Sequence, residues 1–146
     1  MTNFVLFLSS VFIAFIHVAA QLRYQQSNFV LTVTMACGCA TSVWNHGVTS
    51  SIAKVVDRTM MWIGFFSNLC TISRVHDNTR QYACLATLLA AVLLYVVAKS
   101  CIALTGHQKQ EETPCTNRLS DLPHILAHFS LTITHILLME SQTYSA

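Results

Sequence analysis

Charge is what this sequence has least of. Aspartate, glutamate, lysine and arginine together make up 10% of its 146 residues, against roughly a quarter in an ordinary soluble domain. Hydrophobic residues reach 53%, and a chain so composed reads as a membrane protein. Clustered basic residues are missing too: the lysines and arginines stand singly, and the formal net charge is only +2 with neutral histidines. They build no face able to track a phosphate backbone, so nucleic acid is not an expected partner. The cysteines lack the paired spacing of a zinc knuckle, because Cys37-Gly38-Cys39 has no second pair and most of the others lie within apolar runs. They read as small buried hydrophobes. Internal repeats and low-complexity tracts are also absent, which leaves residues 1–146 as a single domain.

What the sequence does have is apolar length. Five runs, at about 4–20, 28–47, 52–72, 82–104 and 119–139, approach or reach the roughly 20 helical residues that cross a hydrocarbon core of about 30 Å. The first run, Phe4 to Ala20, is the shortest of the candidates, and the small residues before Gln21 suit a signal segment. It has no positive leader, so a retained helix is the expectation, with four spans as the alternative if it is removed. Gly47 to Ser51 supplies a turn and a capping serine, and Ser120, Asp121 and Pro123 suit the first turn of the last helix. The expected fold is all-α, a polytopic membrane bundle of about five transmembrane helices. Small residues between Leu88 and Ala91 would also permit a homo-oligomer.

The few polar residues inside these runs are spaced in a pattern. Ser42 and His46 are four apart and share one helix face, Asp57 follows on the far side of the turn, and His124 and His128 form a second pair four apart. Ionisable groups within a membrane are costly unless they have partners. With five spans alternating in direction, all five of these residues lie near the same membrane face, while His17 and the Arg74 to Arg80 connector lie toward the other. The same face holds Lys54, Arg58, Lys99, Lys109 and Arg118, against Arg23, Arg74 and Arg80 opposite, too small an excess to orient the protein.

Three neutral imidazoles and one open position form the ligand set of a catalytic zinc, which makes His46, His124 and His128 the candidate metal ligands. Zinc would lower the pKa of a bound water to about 7, Asp57 would accept or hold its proton, and Ser42 would steady the water or a developing oxyanion. Asp121 is placed to orient His124 or simply to start its helix. His135 lies roughly 10 Å deeper than His128 by helical rise and reads as packing or support. A rival use of paired histidines, axial ligation of haem, would draw on His17 and His135.

The order Ser-x3-His, Asp early in the next helix and His-x3-His in the last helix resembles the superfamily of the alkaline ceramidases, the progestin and adipoQ receptors and the Per1 lipid-remodelling proteins. The spacings of Ser42, His46 and Asp57 are most similar to those of the alkaline ceramidases. The resemblance implies an intramembrane zinc hydrolase acting on an amide or ester bond of a membrane lipid, with His46, His124 and His128 as ligands, Asp57 positioning water and Ser42 assisting. It covers about a third of the chain. Family members have seven helices where this chain has room for five, and no acidic residue precedes Asp57, so the family's acidic N-terminal segment has no counterpart. The alternative expectation is a non-catalytic integral membrane protein with a structural metal site or none.

Overall fold

The computed structural model describes residues 4–24, 28–106 and 115–143. Five helices account for nearly all of them, α1 (Phe4–Tyr24), α2 (Phe29–Gly47), α3 (Ser51–Ile72), α4 (Asn78–Gly106) and α5 (Cys115–Thr143), and no strand occurs among the described residues. The all-α bundle expected from the apolar runs is the fold observed.

The helix boundaries follow from side chains that satisfy otherwise unpaired backbone groups. Asn28 caps α2 by accepting the Leu31 N–H at 3.1 Å, and Ser50 caps α3 by accepting the Ala53 N–H at 3.3 Å. Asp77 does the same at the start of α4, where its carboxylate accepts the Thr79 N–H at 2.9 Å and pairs with Arg80 at 3.4 Å. α5 differs from expectation: it begins at Cys115, so Pro123 lies inside the helix and not in its first turn. Proline has no N–H, and its ring crowds the preceding turn, so one carbonyl there loses its helical partner.

The outer surface is apolar. Phe15, Leu22 and Phe29 are 76%, 75% and 76% exposed, an arrangement that water would not tolerate over so wide an area and that hydrocarbon does. α1, Asn78–Cys101 of α4 and Asp121–Ser141 of α5 are each long and apolar enough to cross a membrane. The chain is an integral membrane protein. α2 and α3 fall short of that measure, since polar residues crowd their adjoining ends.

Packing runs in the order α3, α2, α1, α5, α4, with broad contact at each step; α3 meets α4 and α5 only lightly. The ring is therefore loosely closed along one seam, between α3 and α4. At the end remote from the α2–α3 turn the interior is tightly filled by Leu31, Met35, Ile72, Cys84, Leu88, Leu138 and Met139. Lipid tails are as apolar as these side chains, so the stabilisation comes from dispersion in close packing and from interhelical hydrogen bonds rather than from escape from water. Gln21 donates to Thr32 at 2.9 Å, joining α1 to α2, and Thr134 donates to Thr87 at 2.8 Å, joining α5 to α4. At the opposite end, Gly47 lets Phe7 of α1 approach closely: a Cβ at this position would lie 3.2 Å from the Phe7 ring.

Candidate metal centre

The α2–α3 turn sets the geometry of the polar end. Its short connection makes α2 and α3 antiparallel neighbours, which places Asn45 of the last turn of α2 beside Asp57 of the second turn of α3. The Asn45 amide donates to the Asp57 carboxylate at 2.8 Å. α5 then brings His124 and His128 against His46 of α2. One coordinating atom from each of the three imidazoles lies within 4.8 Å of the other two. The His46 ring meets the other two edge-on, with centroids 5.2 Å from His124 and 6.1 Å from His128.

Two nitrogens at this centre have no hydrogen-bond partner although buried: Nε2 of His46 and Nε2 of His128. A buried polar atom left unpaired costs about 1–3 kcal/mol, and native interiors rarely leave two so close together. The donor set itself fits a divalent metal, since neutral imidazole suits zinc and nitrogens of one tetrahedral zinc stand about 3.3 Å apart. Small rotations of the three rings separate that spacing from the observed one. A hydrogen-bonding neighbour would have been the ordinary way to satisfy these nitrogens, and neither has one among the described residues.

The remaining candidates are placed differently. Asp57 is buried near the turn but outside the triangle of histidine nitrogens. The acid within electrostatic reach of His46 is Asp121, together with the cation Lys99. Ser42 is buried one turn before His46 and shares a hydrogen bond of 3.2 Å with Ser10 of α1. Two paired hydroxyls use one hydrogen between them and leave the other to donate elsewhere, so Ser42 keeps its own hydrogen when Ser10 is the donor.

Three residues at this end were not among the site residues expected from the sequence. Asn45 is the partner of Asp57. Tyr95 of α4 packs edge-on to His124, with ring centroids 5.8 Å apart, and Lys99 one turn later holds its ammonium 5.0 Å above the Tyr95 ring. Asn45 was detectable as a polar residue next to His46. Tyr95 carries no sequence signal, because an aromatic within an apolar run is ordinary packing material.

His17 and His135 form a separate buried cluster. His17 Nε2 and His135 Nδ1 are 2.9 Å apart, His17 Nδ1 meets the Ile13 carbonyl at 2.9 Å, and Asn68 meets His135 Nε2 at 3.1 Å. One tautomer assignment satisfies everything with both rings neutral: His17 donates to the carbonyl, His135 donates to His17, and Asn68 donates to His135. The two rings are directly hydrogen-bonded, and nitrogens 2.9 Å apart leave no room for an iron with bonds of about 2 Å on each side. The haem alternative is excluded for this pair.

No protein-family model, curated protein or solved structure matches this chain.

Proposed function

We propose that the chain is a multi-pass membrane hydrolase, similar to the alkaline ceramidases, in which His46, His124 and His128 hold zinc and the scissile group is an amide or ester of a membrane lipid. The observation that carries the reading is the convergence of three imidazoles from two helices, two of them with buried and unpartnered Nε2 atoms. Zinc bound by three neutral imidazoles supplies hydroxide at neutral pH by bringing the pKa of a coordinated water to about 7.

The chain's own residues provide the rest. The Asn45 amide fixes one oxygen of Asp57, which leaves the other free to take or hold the proton of the attacking water. With Ser10 as the donor in their shared bond, the Ser42 hydroxyl keeps its hydrogen to donate to the oxygen that gains charge as the carbonyl is attacked. His124 is held from behind by the Tyr95 ring, which limits its rotation. The loosely packed seam between α3 and α4 gives a lipid lateral entry to this end of the bundle.

Metal analysis of the full chain purified in detergent tests the reading. About one zinc per chain is expected, lost from the His46→Ala, His124→Ala and His128→Ala variants. Asp57→Asn should keep the metal and lower hydrolysis by about 10²–10⁴-fold, the range of general acid-base contributions. Full retention of metal in all three histidine variants overturns the site. An Asp57→Asn protein with metal and undiminished cellular function turns the centre into a structural clamp.

A further inference from the structure

We propose that Lys54, Arg58 and Lys99 form a receptor for the anionic headgroup, a phosphate or a carboxylate, of the lipid that enters between α3 and α4. That this lipid is the substrate rests on the hydrolase reading; that its headgroup is recognised here does not. Lys54 and Arg58 stand one turn apart on α3, and Lys99 of α4 lies within electrostatic reach of both, so the cations come from the two helices that flank the lightly packed seam. Lys99 lies over the face of Tyr95, which is within electrostatic reach of Arg58 and whose ring packs against His124. Lys99 is thereby tied through one aromatic side chain to the histidine centre.

These cations are not balanced by acidic partners among the described residues. None of them forms an ion pair among the described residues, where Arg80 and Asp77 make the one such bridge. Asp57 is the one carboxylate acting on Lys99 among those residues, and an oxygen of it is already committed to Asn45. Snorkelling to the interface explains exposed Lys54 and Arg58. It does not explain Lys99, which is half-buried at the seam and within range of both other cations. Three like charges drawn together repel one another, and the repulsion is relieved by an anion placed between them. A headgroup at the interface, with its chains leaving through the seam, fits that position and would set its carbonyls near the histidines.

Each cation near a membrane surface contributes about a factor of five in affinity for an anionic lipid. The test uses the full chain in neutral detergent, titrated with phosphatidic acid and with phosphatidylcholine of identical acyl chains, and bound lipid is counted by native mass spectrometry. At least tenfold tighter binding of phosphatidic acid is expected. The R58Q/K99Q variant should lose about thirtyfold in that affinity, Lys99→Arg should keep it, and Arg74→Gln, at the other end of the bundle, should leave it unchanged. Glycerol phosphate at the same concentration should fail to displace the lipid, because it lacks the chains.

Equal binding of the two lipids overturns the proposal, as does an Arg74→Gln loss as large as that of R58Q/K99Q. Complete displacement by glycerol phosphate overturns the commitment to a lipid. Metal content measured on the same samples separates the two readings. Lost headgroup preference with wild-type metal content defeats this inference alone, and intact preference without metal defeats the hydrolase and with it the claim that the bound lipid is substrate.

Discussion

Replacing His135 by leucine removes two interhelical hydrogen bonds while roughly conserving side-chain volume. The bond to His17 is 2.9 Å and the bond to Asn68 is 3.1 Å, so one side chain of α5 is joined to both α1 and α3. In water-soluble interiors each buried group left unpaired would cost about 1–3 kcal/mol. Within a membrane the unfolded reference also finds partners, and measured side-chain hydrogen bonds average about 0.6 kcal/mol with a maximum near 1.7. Two bonds therefore predict a loss of about 1–3 kcal/mol for His135→Leu. The cleaner quantity is the coupling of His17 to His135 in a double-mutant cycle with His17→Leu, expected at about 0.6–1.7 kcal/mol. Unfolding by sodium dodecyl sulfate in mixed micelles, followed by helicity, measures all four corners. Metal content should not change, since His135 lies two turns beyond His128. Strict additivity of the two substitutions would refute the direct bond, and loss of metal in His135→Leu would refute the independence of the two histidine clusters.

Two further substitutions probe the polar end. Ser42→Ala should lower hydrolysis by about 10²-fold, the lower end of what one oxyanion donor contributes; Ser10→Ala should lower it less, by leaving the Ser42 hydroxyl without its partner. A Ser10→Ala effect larger than that of Ser42→Ala, with metal retained, would reverse the order of action. Gly47→Ala should destabilise by up to about 2 kcal/mol, because overpacking against Phe7 exceeds the helical gain from alanine, and Phe7→Leu should rescue it. A Gly47→Ala protein more stable than wild type in the same unfolding titration contradicts the close approach.

The helical architecture was legible because apolar length and turn chemistry are local properties. The Gly47 to Ser51 break and the cap at Ser50 can be read one residue at a time, and the i, i+4 spacings of Ser42 with His46 and of His124 with His128 define shared faces in any helix. What brings His46 to the other two is an arrangement of helices, and the alternation of spans supplied enough of that to expect a meeting. Three things were not legible. The start of α5 at Cys115 runs against the usual meaning of Pro123, since tertiary packing can carry a helix through a proline that local preference would place at its first turn. The bond between Ser10 and Ser42 depends on the rotation of α1, and an apolar run with a single histidine fixes no rotation. The pairing of His17 with His135 needs two residues more than a hundred positions apart to reach the same depth, and depth read from helical rise alone does not say which helices face each other.

The division of labour within the bundle follows from what a membrane withholds. In lipid the apolar effect does not hold helices together, so stability has to come from close packing and hydrogen bonds. The half of the bundle remote from the α2–α3 turn has both: Leu31, Ile72, Leu138 and Met139 are almost wholly enclosed, and the Gln21–Thr32 and Thr134–Thr87 bonds lie there or just beside it. The other half holds imidazoles, a carboxylate and cations, which cannot be packed to the same density without losing the space in which a ligand would sit. α5 runs through both halves. Its far end is fixed by Leu138 and Met139, its middle by His135 to α1 and α3, and so His124 and His128 are presented from a helix that is already anchored below them. At its start α3 is anchored through the short turn and the Asn45–Asp57 bond to α2, while its contact with α4 is light and includes Ile72 in the core at its far end. The sideways entry of lipid proposed above would use this light contact without disturbing α2 and α5, which carry the three histidines, and the three cations belong to α3 and α4 on either side of it.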